Sequence, residues 1–180
     1  FGRYPNVVTS LQFERLLSAA GPTEGHIVRP SEGSEPRRIA WLQCIGSRDQ
    51  EHPYCSAVCC MSATKEAMLA KEHLSPGADL SIFLMDLRAF GKGFDAYFRR
   101  AQDEGIRYVR CRASALKEDP HSKNLLLQYE NEHGELVTDE LDMVVLSVGL
   151  TAPRGVAELA SAAGVALDSY GFGAASPATP

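Results

Sequence analysis

The chain has 180 residues, 44% of them hydrophobic, and a net charge of −5, enough for one ordinary domain with some extra and a core of its own. The acidic balance, without a basic stripe, gives no reason to expect nucleic acid. No run is long enough to be inserted in a membrane and no signal-peptide pattern opens the chain, so the five cysteines favour metal or redox chemistry in a reducing cytoplasm over a secreted disulfide framework.

Residues 1–10 read as extended, punctuated by Pro5. Thr9 or Ser10 caps a short helix from Leu11 to Ala20, stopped by Gly21-Pro22, with Leu11, Phe13, Leu16 and Leu17 as its apolar side. Residues 21–37, rich in Gly, Pro, Ser and charge, form a linker or surface loop, with a domain boundary near residue 36. Arg38 to Ile45 is a buried strand ending in Gly46-Ser47. From Ser56 to His73 there is no Pro or Gly, and the residues are helix formers; Ala63, Ala67 and Ala70 give a small-residue face that lets this helix lie close to a sheet. Asp79 to Leu87 is a second buried strand. Phe94, Tyr97, Phe98 and Ala101 mark an amphipathic helix closed by Gly105, and Ile106 to Ala115 is a third strand. The β-α-β-α-β rhythm implies an α/β fold, a Rossmann-like parallel sheet with crossover helices. Asn124 to Tyr129, the turn Asn131-Glu132-His133-Gly134 and a return strand from Glu135 make an antiparallel hairpin. Asp142 to Gly149 is a strongly buried strand, Pro153 to Ala163 a short helix, and Val165 to Phe172 a final strand and turn.

The chemistry concentrates after the first core strand. Cys44 is followed after ten residues by Cys55, and after three more by Cys59 and Cys60. These sit at a strand end, in a loop and at a helix start, where open α/β sheets bind ligands. A nucleotide site would place Gly-x-Gly-x-x-Gly there; Cys44-Ile45-Gly46-Ser47 stands in its stead. The spacing leaves three readings open: a cubane iron–sulfur cluster, a structural zinc, and a dithiol pair or plain packed thiols. No Cys-x-x-Cys knuckle is present, and adjacent cysteines on a helix point about 100° apart, which suits a cluster better than one small ion. Amides at the helix start, with Arg48 and Lys65, are expected to favour negative charge and lower the thiol pKa values.

These residues, from Gln43 to Asp49 and from Pro53 to Met61, together with Asp86 to Phe94 and Asp142 to Gly149, resemble the A-subunit family of heterodisulfide reductase. The flavoprotein subunit of quinone-interacting oxidoreductase complexes is similar. The resemblance runs from Tyr4 to Phe172. It implies a thioredoxin-reductase-like FAD flavoprotein carrying several iron–sulfur clusters, working in a complex with other subunits, in some organisms by flavin-based bifurcation. It implies that Cys44, Cys55, Cys59 and Cys60 hold an unusual [4Fe–4S] cluster; Arg48, Lys92 and Gly149 are candidate cofactor-binding residues, Lys92 between two glycines reading either as a phosphate or flavin contact or as a solvated loop lysine. It further implies that this piece is the second nucleotide-type domain: residues 1–36 a flanking helix and linker from the adjoining FAD domain, 37–150 the Rossmann-like domain, 151–180 a return segment. The start at Phe1 without Met and the Ser-Pro-Ala-Thr-Pro end read as an excised piece. The FAD phosphate loop, the late flavin segment and the ferredoxin cysteine runs of the family have no counterpart, so the FAD site is incomplete here and NAD is not expected to bind in the usual manner. A homodimer is compatible with this reading.

The remaining candidates read as structural. Cys111 alternates with Val109 as a packed thiol, and Arg110 and Arg112 solvate the opposite strand face. Lys65 and Glu66 read as a solvated helix face, Arg48-Asp49 as a brace for the cysteine loop, and His52 as a bystander beside four thiolates. Tyr54 packs over the cluster or core; His121 and His133 lie in turns.

Overall fold

A computed structural model describes residues 1–175; the expectation for the last five residues, 176–180, lies outside the described residues. In chain order the elements are β1 (Val7–Thr9), α1 (Ser10–Leu17), β2 (Arg38–Ile45), α2 (Cys59–His73), β3 (Asp79–Leu84), α3 (Phe94–Asp103), β4 (Arg107–Arg110), β5 (Ala113–Glu118), β6 (Leu125–Glu130), β7 (Leu136–Leu141), β8 (Met143–Val148) and α4 (Val156–Ala163). They form two compact units, Phe1–Gly149 and the segment from Leu150 onward. The chain therefore divides after Gly149 and not near residue 36. Residues 1–36 belong to the first unit because β1 pairs with β8, Val7 opposite Val144, and α1 packs on α2.

The fold is mixed α/β. Five parallel strands run in the order β1-β8-β2-β3-β4, and three antiparallel strands in the order β5-β6-β7 make a second sheet. The expected single strand from Ile106 to Ala115 is corrected: the Cys111 N–H closes the parallel ladder on Leu84 O at 2.9 Å, and the chain then leaves for the other sheet as β5. Strand alternation sends successive side chains to opposite faces. Ile39 and Trp41 of β2, with Leu80, Ile82, Met143 and Val145, meet Phe13 of α1 and Ala63, Ala67 and Ala70 of α2. Ala40 and Leu42, with Phe83 and Val144, meet Leu125, Leu127 and Tyr129 of the second sheet. The parallel sheet is thus covered by helices on one face and by strands on the other, which explains its near-continuous apolar strands.

Local chemistry sets the helix limits. Thr9 caps α1 in a reciprocal capping box with Gln12. α2 begins at Cys59 and not at Ser56, since Ala57 has φ 60°, outside the right-handed helix. In the second unit, α4 ends at Gly164 with φ 68°. The expected strand from Val165 to Phe172 reduces to a bridge between Leu167 and Gly173, because the Asp168 carboxylate accepts from the Tyr170 and Phe172 amides and holds a turn. Among the described residues no helix is long and apolar enough to cross a membrane.

One residue reverses its sequence reading. Glu66 is 1% exposed, not on a solvated face. α2 is buried on so wide an arc that Glu66 points inward, where its Oε2 accepts from Trp41 Nε1 at 2.8 Å. Burial pushes its carboxyl up to about 7, against the partial relief of that bond. Lys65 remains outside, paired with Glu14 at 3.7 Å. A carboxyl raised in the folded state contributes stability that is complete below its unfolded value near 4.5 and is lost as pH rises through about 7. Denaturant unfolding is expected to show wild type losing on the order of 3 kcal/mol over that window, with the Glu66→Gln variant flat across it.

Candidate functional site

Because every pairing in the main sheet is parallel, the ends of β2, β3, β4 and β8 share one edge, and α2 starts from it. Four cysteines stand there. Cys44 is the penultimate residue of β2, where the register against β8 slips between Leu42 and Ile45; such irregularities re-aim side chains beside functional sites. The following loop has left-handed backbone at Cys44 (φ 62°), Arg48 (φ 59°) and Ala57 (φ 60°), none of them glycine. Each such residue costs roughly 1–2 kcal/mol, and strain of this kind gathers at ligand clamps. Internal bonds hold the loop: the Arg48 N–H reaches Tyr54 O at 3.0 Å, and the Asp49 N–H reaches His52 O at 3.3 Å. The Asp49 carboxylate accepts from the amides of Glu51 and His52 at 3.0 and 2.7 Å.

The brace expected between Arg48 and Asp49 is corrected. Asp49 faces its own turn, and Arg48 reaches across to Asp86 beyond β3. Arg88 grips the same carboxylate, 3.0 Å from its Oδ2. Hydrogen bonds from Arg88 and then Arg48 hold Asp86 below the usual carboxylate range. This fork ties the cysteine loop to the β3 loop. The residues were visible in the sequence as Asp86-Leu87-Arg88, but an ion pair spanning 38 positions has no local signal.

The sulfurs gather. Cys59 Sγ lies 3.7 Å from Val148 O, Cys60 Sγ 3.9 Å from Asp86 O, and Cys55 Sγ accepts from the Ala57 N–H at 3.3 Å. Burial raises the thiol pKa values of Cys44, Cys59 and Cys60. Charge on the neighbours adds to it: Cys55 acts on Cys44; Cys60, Cys44 and Cys55 act on Cys59; Cys44 and Cys55 act on Cys60. Every pair among the four therefore lies within electrostatic reach. The expectation that the helix start lowers these pKa values is corrected, since burial and mutual repulsion outweigh Arg48 on Cys44 and the Arg88 amide on Cys60. All five cysteines are free thiols. Among the described residues no three His, Cys, Asp or Glu side chains are placed to hold a single metal ion.

Next to Cys44 on β2, Gln43 Nε2 donates to Ser147 Oγ at 2.8 Å, and Gln43 Oε1 is buried without a partner. Free thiols and an orphaned polar atom at one edge are donors of the kind that soft metal centres take. A cavity of about 260 Å³ opens at this edge, lined among others by Leu42, Gln43, Cys44, Met85, Cys111 and Arg112, so that Cys44 and Cys111 share it. Cys111 is half-buried there, and burial pushes it up to about 11. Lys92 is exposed in the turn before α3. His52 stacks edge-on with Tyr54, ring centres 5.9 Å apart.

Gly149 has a packing role. Its N–H donates to Ile45 O at 2.8 Å, and a side chain there would stand 2.6 Å from Gly46 O and 3.0 Å from Ser47 Cβ. Gly149→Ala is expected to push the Gly46-Ser47 turn outward and to cost about 1–3 kcal/mol in a denaturant titration.

No protein-family model matches the chain. It is 47% identical over 176 residues to the A subunit of the H(2)/formate:CoB-CoM heterodisulfide,ferredoxin reductase of Methanococcus maripaludis, covering 96% of this chain and 27% of that protein. It is 49% identical over 163 residues to an iron-sulfur A subunit of the CoB--CoM heterodisulfide reductase of Methanopyrus kandleri, covering 88% and 24%. Among solved structures, LpdA of Mycobacterium tuberculosis aligns at a TM-score of 0.47 and 13% identity over 86% of this chain and 30% of its own, a likeness too weak to carry an argument. The chain spans about a quarter of the length of the curated relatives it matches. Over that stretch the chain belongs to the heterodisulfide reductase A-subunit family.

Proposed function

We propose that this chain is an electron-transfer domain of a heterodisulfide-reductase-type oxidoreductase, with Cys44, Cys55, Cys59 and Cys60 holding a [4Fe–4S] cluster. The observation that carries the reading is the placement of four free thiols at the end of β2, in the loop after it and at the start of α2, on a stretch with left-handed backbone at three non-glycine positions. The names of the relatives, which include CoB–CoM heterodisulfide and ferredoxin reduction, support it, and their designation as A subunits supports partner subunits. A cluster supplies one-electron exchange with little rearrangement.

The chain's own residues prepare the place. The four thiols give up protons to become ligands. α2 opens without a side-chain cap or a first-turn acid, which leaves its first amides open to negative charge. Arg48 offsets part of the charge on Cys44, and the fork on Asp86 fixes its position. Gln43 and Ser147 put a polar pair at the same sheet edge as Cys44, and hydrogen bonding near a cluster tunes it. No general acid or base is needed.

A flavin is a different matter. The β2 turn that would cradle a dinucleotide phosphate carries Cys44 instead, Arg48 is engaged with Asp86, and Gly149 is engaged by Gly46 and Ser47. These described residues do not build an FAD cradle, and the place of a flavin is in the whole protein.

The test is an anaerobic iron and sulfide count with paramagnetic resonance. Reconstituted wild type is expected to hold the iron and sulfide of a cubane, and Cys60→Ser to retain on the order of tenfold less, since even outer partners of metal ligands are worth that much. Colourless zinc in place of iron, or neither iron nor sulfide after reconstitution, would overturn the reading. Because three of the thiols titrate above their ordinary value, loading releases protons and is expected to weaken steadily as the assembly pH is lowered from 9 to 6, a range of about three units.

A further inference from the structure

Glu66 does nothing in the site just described, yet it is the charged side chain held deepest in the helical core, at 1% exposure. Only one of its oxygens is matched: Oε2 takes the Trp41 indole N–H at 2.8 Å, while Oε1 is buried with no partner. A carboxylate in that position is costly, and a methionine or glutamine would fill the space without the charge. The unmatched Oε1 is the atom on which a proton removes the cost.

Its position links it to the cysteines. Glu66 lies on α2 seven positions after Cys59 and six after Cys60, about 10 Å along the helix. The medium between is the packed face of α2, shielded from salt. The charged groups facing Glu66 are few. From α1 comes Glu14, and from α2 comes Lys65, which pair with each other at the surface. β2 contributes Trp41, and β3 and β8 contribute Leu80, Ile82, Met143 and Val145. The charges of α3 pair among themselves, Arg99 with Asp95 and Arg100 with Glu104. On β4, Tyr108 bonds Thr64. At the helix start the nearest cations, Arg48 and Arg88, share the Asp86 carboxylate, and Arg48 offsets only part of the charge on Cys44.

We propose that Glu66 is a proton-binding site coupled to the electron count of the four-cysteine edge. The proposal rests on the reading that this edge exchanges electrons. One electron arrives from a one-electron donor, a reduced flavin or a reduced iron–sulfur protein, and one proton moves from solvent water to Glu66 Oε1, so the folded core gains no net charge. On reoxidation both leave. By linkage, charge at the cysteines raises the proton affinity of Glu66, and protonation of Glu66 eases arrival of the electron by the same amount. The carboxyl already titrates near neutrality, where such exchange is effective.

Trp41 is the single tryptophan, and it is the residue bonded to Glu66, so its fluorescence reads the protonation state directly. A pH titration of the cluster-free chain is expected to show a transition near neutrality in wild type and none in Glu66→Gln. Its absence in wild type, or its persistence in Glu66→Gln, overturns the proposal. Charge coupling is then read without metal. The midpoint in Cys59→Asp is expected about one pH unit above that in Cys59→Asn, the effect of a unit charge roughly 10 Å away at an effective dielectric of about 20. Aspartate is tolerated in a first helical turn, so both variants are expected to fold. Equal midpoints overturn the proposal whatever the metal content. In the reconstituted chain, the reduction potential is expected to fall with rising pH around neutrality in wild type and to be level in Glu66→Gln; a level wild-type profile also overturns it. A chain that shows the Cys59 difference but takes up neither iron nor sulfide supports the coupling and overturns the cluster reading instead.

Discussion

The close approach of Gly149 to the Gly46 carbonyl is the constraint on which the cysteine edge depends. With 2.6 Å between that oxygen and the point where a side chain would begin, the turn after β2 and the end of β8 come together only because position 149 has no side chain. That approach keeps Ile45 bonded to Gly149 beyond the register slip, sets the direction in which Cys44 leaves the sheet, and brings Val148 O against Cys59. A parallel sheet supplies the common edge; the missing side chain lets two of its strands close it.

The edge is held under tension by opposed forces. Three left-handed residues resist the loop's path, while the Asp86 fork and the Asp49 turn hold it in place. The thiols are drawn together by the backbone and set apart electrically by burial and by one another. Such a place disfavours four sulfurs left as anions. The helical core repeats the theme at Glu66, where packing has closed over a group that would be more comfortable in water. The two tensions share a helix, and α2 is the element through which each can sense the other.

Much of this architecture is legible in the chain. β2 is recognisable because apolar residues run unbroken from Ile39 to Leu42, and α2 because its alanines recur at helical spacing. The cysteine spacing marks the edge before any coordinates exist. What does not appear locally is whatever depends on distant partners. Glu66 beside Lys65 looks like surface, since the arc that buries it is set by α1 and the sheet together. Arg48 next to Asp49 looks like a pair, but backbone at φ 59° turns it toward Asp86. The break at Cys111 is hidden because β4 and β5 have the same strand-like composition and differ only in the sheet they join. The direction of the thiol pKa values is hidden for a related reason: proximity to a helix start is written in the sequence, and depth of burial is not.

The raised thiols have a consequence for how readily the molecule reacts. Sulfhydryl exchange runs through the anion, and Cys44, Cys59 and Cys60 keep their hydrogen more firmly than a thiol in water does. The chain therefore carries three sluggish sulfhydryls, slow to crosslink or to capture stray electrophiles.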